Sequence, residues 1–126
     1  MSSCCSVQDQ VLILACSGGS NVGQLSNQAA VELNRCGLGL LKCSVGVAAG
    51  IEGLVNGARQ APHVIVIDGC DVGCAKAGLA AQAGREPDTY VVVTDLGIGK
   101  NRDFDLRAED IATTVQATRR AMGLPE

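Results

Sequence analysis

The chain has no tryptophan, and only one tyrosine, one phenylalanine and one histidine among its 126 residues. So few rings leave nothing for nucleobases to stack on. Ten Lys and Arg against thirteen Asp and Glu give a formal charge of −3, and these scattered cations form no patch for a phosphate backbone or an anionic membrane surface. Neither nucleic acid nor a membrane is therefore an expected partner, and nothing names a partner protein. A single histidine at the start of a strand also removes the usual Cys–His nucleophile pair, which argues against a hydrolase. No stretch approaches the ~18 apolar residues of a membrane span. "ILAC", Ile13 to Cys16, has the form of a lipoprotein cleavage site, but no Lys or Arg occurs in the first fifteen residues. A signal peptide needs that charged start, so the segment reads as a core strand of a soluble, cytoplasmic protein.

What the chain does have is aliphatic residues and thiols. It is 47% hydrophobic, enough for one core, and its length predicts a single α/β domain with residues 1–9 as a loose tail. "VLILACSGG" is a short apolar run without alternation, as in a strand covered on both faces. The following segment carries Val22, Leu25, Ala29 and Leu33 at helical spacing, with Ser20 or Asn21 as N-cap and Gly37 as the stop. A second strand is predicted over Leu40 to Val45, then a Gly/Ala-rich helix ending before Pro62, whose Gly50, Gly53 and Gly57 would let it lie close to the sheet. "HVIVIDG" is the third strand, and a helix follows over Cys74 to Ala83. "YVVVTDLG" is the fourth strand, and a polar loop leads to a last helix over Arg107 to Met122. Alternating strands and helices predict a mostly parallel four-stranded sheet of order 2-1-3-4, with helices on both faces, a flavodoxin-like or Rossmann-like three-layer sandwich.

That topology places the thiols. Seven cysteines are too few and too irregular for a disulfide scaffold. Cys16 ends the first strand, Cys43 lies near the end of the second and Cys70 follows the third, so all three are expected at the carboxyl edge, where open α/β sheets keep their ligands. Cys74 is one helical turn beyond Cys70 and faces the same space. The helix starts after Cys16 and Cys70 favour thiolate. Three or four thiolates suit Zn²⁺ or an iron–sulfur cluster. Three readings remain open on these residues: metal binding, thiol redox or persulfide chemistry, and inert packing. Cys36, at the end of the first helix, is expected to pack, Cys4 and Cys5 lie in the tail, and His63 lies at the opposite edge.

The segments "CSGGSNVGQLSNQAA", "KCSVGVAAG", "IDGCDVGCAKAG" and "VTDLGIGK" together resemble the DGC-domain family, small prokaryotic proteins described as zinc-binding. The resemblance spans residues 11 to 120, and Asp68-Gly69-Cys70 matches the naming triplet. It implies one zinc held by four cysteines, here Cys16, Cys43, Cys70 and Cys74, and their place where the strand order reverses points to a metal-handling or sulfur-handling role. The alternative is a thiol oxidoreductase or sulfur carrier using the Cys70/Cys74 pair. Around this centre, Ser17, Gly18, Gly19 and Ser20 offer backbone N–H groups for a small anionic or thiol ligand. Lys100 is a further anion-holding candidate. Asp68 is either a neighbour steadying the metal ligands or a carboxylate capping the next turn.

Overall fold

The computed structural model describes residues 9–125. The expected tail, save Asp9, lies outside them, and so do Cys4 and Cys5. The elements are β1 (Val11–Ala15), α1 (Asn21–Arg35), β2 (Leu40–Leu41), α2 (Ser44–Ala48), α3 (Glu52–Gln60), β3 (His63–Asp68), α4 (Cys74–Ala83), β4 (Thr89–Val92) and α5 (Ala108–Ala121), with a 3-10 turn at Val93–Leu96. All strand pairs are parallel and the order is β2-β1-β3-β4, as the alternation of elements predicts.

The two central strands are buried along their length because each face meets helices. On one face Ile13, Ala15, Ile65 and Ile67 pack against Val22, Leu25, Ala29 and Leu33 of α1, with Ile111 and Val115 of α5 alongside. On the other, Leu12, Leu14, Val64 and Val66 meet Val47 of α2, Val55 and Ala58 of α3, and Ala75, Leu79 and Ala83 of α4. This is why the strand sequences show unbroken apolar runs rather than alternation. Ser20 caps α1, its hydroxyl accepting from Gly23 N–H at 3.1 Å. Gly37, with φ +79°, stops it: Gly37 N–H donates to Asn34 O and Leu38 N–H to Leu33 O, both at 3.0 Å. Cys36 is the C-cap residue and is exposed, not packed; Leu33 and Leu38 take the apolar role there.

Four local expectations fail. The second strand ends at Leu41 rather than Val45. The Ser44 hydroxyl accepts from Ala15 N–H at 2.9 Å and donates to Ala15 O at 2.7 Å, so a side chain occupies the ladder positions at the end of β1 and the backbone turns into α2. The helix expected before Pro62 is two helices, broken at Gly50, whose φ of +77° no α-helix holds. A Cβ on Gly53 or Gly57 would meet nothing within 4 Å, so neither glycine is a point of close approach to the sheet. The fourth strand stops at Val92, and Thr94 N–H turns back to donate to Gly69 O at 3.1 Å. The last helix runs between Arg107 and Met122 as caps.

Candidate functional site

Cys16 follows β1 directly, its N–H donating to Ile67 O at 2.9 Å. Cys43 is the N-cap residue of α2, Cys70 lies two residues past β3, and Cys74 is the first residue of α4. All four therefore sit at the carboxyl edge of the sheet. Cys16 and Cys70 are half-buried, whereas Cys43 and Cys74 are exposed.

Glycines bring the first and third turns together. A Cβ on Gly69 would lie 2.6 Å from Gly23 N and 2.7 Å from Val22 C, and one on Gly23 would lie 2.9 Å from the Gly18 backbone. Main chain thus packs directly on main chain from the Cys16 loop, through the first turn of α1, to the end of β3. Side chains lock this stack. The Ser26 hydroxyl donates to the carbonyls of Cys16 and Gly23. The Gln24 amide donates to the carbonyls of Ser17 and Gly18, both at 3.0 Å.

Asp68 is buried and fully engaged. Its carboxylate accepts from Ala75 N–H at 2.9 Å, Lys76 N–H at 3.1 Å and the Tyr90 hydroxyl at 2.9 Å. It caps the N-terminus of α4 from across the turn, the task Gly73 at the N-cap position has no side chain for. Burial, and then the bond to Asp68, push the Tyr90 phenol above its ordinary range. Lys76 Nζ stands 4.9 Å from the centre of that ring.

A groove of about 660 Å³ opens between the first and second turns. Cys16, Cys43 and Cys74 line it, together with Ser17, Gly18, Ser44 and Lys42, against walls of Ala15, Leu41, Val45, Ala48 and Ala75. Gly18 N–H donates to Cys16 Sγ at 3.3 Å. Cys70 is not among the groove's lining residues. Its sulfur packs beside the α1/α5 core and accepts from Lys100 Nζ at 3.4 Å. Of the candidate anion loop, Gly18 and Ser20 N–H groups are bonded within the protein, and the Gly19 carbonyl accepts from Arg102 at 3.2 Å. His63 opens β3 at the far edge, bonded to Thr89 at 2.8 Å.

The sequence gives no sign of the Lys100–Cys70 contact, of Arg102, or of Ser44, since each depends on a pairing distant in the chain. Asn21, read there as a cap alternative, is a latch. Its Nδ2 donates to Gly99 O at 2.8 Å and its Oδ1 accepts from Asn101 N–H at 2.6 Å. Among the described residues no helix is long and apolar enough to cross a membrane.

The profile of the DGC domain matches residues 12–118. The anaerobic and virulence modulator AnvM of Pseudomonas aeruginosa is 35% identical over 99 residues, which cover 79% of this chain and 75% of AnvM. No solved structure matches the chain.

Proposed function

Because the chain belongs to the DGC-domain family, we propose that it binds a thiophilic metal ion through cysteines at the carboxyl edge of its sheet. The ligand candidates that line the groove are Cys16, Cys43 and Cys74; Cys70, the fourth thiol of the implied zinc set, lies outside it. One observation carries the reading: thiols from three separate strand-to-helix turns line a single groove. Soft sulfur donors select zinc, copper(I) or iron–sulfur clusters over magnesium or calcium. Zinc is the ion proposed here, because it accepts tetrahedral thiolate sets without a redox demand; an iron–sulfur cluster is the alternative.

The donors fit such a metal in kind. In placement, no three His, Cys, Asp or Glu side chains among the described residues lie close enough together to hold an ion. The exposed thiols Cys43 and Cys74 are the ones free to adjust. Cys16 rests on the glycine stack, a fixed point for the others to close upon. Zinc, when bound, would supply a thiolate-held Lewis-acidic centre suited to metal or sulfur handling, and apolar walls and Lys42 line the groove around it.

Elemental analysis of reduced, untagged protein tests this directly. About one zinc per chain is expected, lost in Cys16→Ser, Cys43→Ser and Cys74→Ser and retained in Cys36→Ser, whose thiol is far from the groove at the C-cap of α1. Metal-free protein, or metal content indifferent to those three changes, would overturn the reading.

A further inference from the structure

Cys70 stands apart from the other three edge thiols. It is half-buried against the apolar core of the α1/α5 face, does not line the groove, and has Lys100 Nζ 3.4 Å from its sulfur. Lys100 is delivered there by construction. The buried Asn21 engages both neighbours of Lys100: its side chain bonds Gly99 O and Asn101 N–H, and its own N–H donates to Asn101 O at 3.0 Å. The loop is thereby tied to the first turn of α1, with the ammonium over Cys70. An ammonium in contact with a sulfur is a poor companion for a bound cation and a good one for a sulfur anion.

We infer that the four thiols divide their work. Cys16, Cys43 and Cys74 serve the metal, and Cys70, charge-compensated by Lys100, is a nucleophile that accepts sulfane sulfur from a low-molecular-weight persulfide. This rests on the metal reading for the first three residues only. In the step itself, the Cys70 thiolate attacks the outer sulfur of R–S–SH. A bond forms between Cys70 Sγ and that sulfur, and the donor's S–S bond breaks. The electron pair leaves on R–S⁻, which takes a proton from water. Cys70 then carries –S–SH, and no oxidant or reductant is consumed. Lys100 stands beside the sulfur that attacks and, after the step, beside the persulfide formed on it. A half-buried sulfur accommodates one added atom more readily than a whole thiol, which selects a persulfide over a disulfide as donor.

The test uses the full chain, zinc-loaded, with zinc content and intact mass measured before and after brief exposure to glutathione persulfide or, in a parallel arm, oxidised glutathione. Expected for the native chain is a gain of one sulfur atom from the persulfide, mapped to Cys70, and little glutathione adduct from the disulfide. Cys70→Ser should keep its zinc and lose the sulfur gain, while Cys16→Ser loses zinc. Lys100→Gln, an exposed change that spares the core, should slow sulfur uptake roughly tenfold, the order expected of one charge-assisted contact. Its zinc content should be unchanged, and Lys100→Arg should restore the rate. Loss of zinc from Cys70→Ser would overturn the division and leave the four-ligand metal reading standing. Sulfur mapped to another cysteine, preferential glutathione adduct at Cys70, or no effect of Lys100→Gln would overturn the nucleophile assignment. Absence of zinc from the native chain would instead sink the metal reading, with the sulfur arm still judged on its own mass data.

Discussion

The turns that carry the edge thiols are built in two ways. Where β1 and β3 run into their helices, backbone lies on backbone at Gly18, Gly23 and Gly69. Carboxylate, hydroxyl and amide groups of Asp68, Ser20, Ser26 and Gln24 take up the surrounding N–H and C=O groups. Where β2 runs into α2, the turn is tied to β1 by the Ser44 hydroxyl and by Lys42 N–H on Ile13 O, and Cys43 at the N-cap makes no side-chain capping bond. The pinned turns hold the half-buried thiols Cys16 and Cys70, with Cys74 exposed where α4 begins; Cys43, on the lightly held turn, is exposed as well. Cys16 on a pinned turn and Cys43 on a lightly held one, both lining one groove, are what a site needs that must both place a ligand and let it in.

The sharpest way to break that comparison is Gly69→Ala. The added carbon would meet main-chain atoms of Val22 and Gly23, well inside contact distance, and backbone has no rotamer with which to yield. We expect a loss of about 3 kcal/mol, seen as a fall in Tm of about 10 °C, with Cys16 and Cys70 becoming more accessible to thiol reagents. An unchanged Tm would show that the two turns are not stacked as tightly as described. On the other side, Ser44→Ala removes both bonds to Ala15 and should cost about 1.5 kcal/mol. That loss should raise the labelling rate of Cys43 more than that of Cys16. Equal effects on the two thiols would erase the distinction between the turns.

The pinned half of the site was the more legible in sequence. Unbroken apolar runs, the whole of Val11–Ala15 and residues 64–67 within His63–Asp68, mark strands buried on both faces. The alternation of elements then places Cys16, Cys70 and Cys74 at one edge without further information. The length of β2 was not legible, because a serine side chain substituting for ladder bonds looks, locally, like any strand residue. The break at Gly50 hides among neighbouring glycines that make no close contact. Lys100 follows the fourth strand, which puts it at the carboxyl edge, but its position over Cys70 depends on Asn21 reaching Gly99, 78 residues away in the chain. Such pairings have no period and leave no trace in a window of sequence.

A smaller effect refines the account of the third turn. Tyr90 is the only tyrosine of the chain, so phenolate absorbance reads it alone. Burial, and next the bond to the Asp68 carboxylate, raise its folded pKa above the ordinary value of 10.0. A group so raised contributes its stability fully below the unfolded pKa, about 10, and loses it as pH climbs through the folded value. Phenolate should therefore appear near pH 10 in denaturant and distinctly later in the folded protein. Tyr90→Phe should flatten the alkaline fall in stability and cost about 1.5 kcal/mol at neutral pH, where the lost bond to the Asp68 carboxylate is fully present, while Asp68 keeps its bonds to the Ala75 and Lys76 N–H groups. Asp68→Asn removes the charge but not the shape, and should bring the phenol part of the way back toward its ordinary range. If the phenol titrated normally in the native fold, Asp68 would not be bonded to it, and the carboxylate would be available to the thiols beside it instead of being committed to holding their turn.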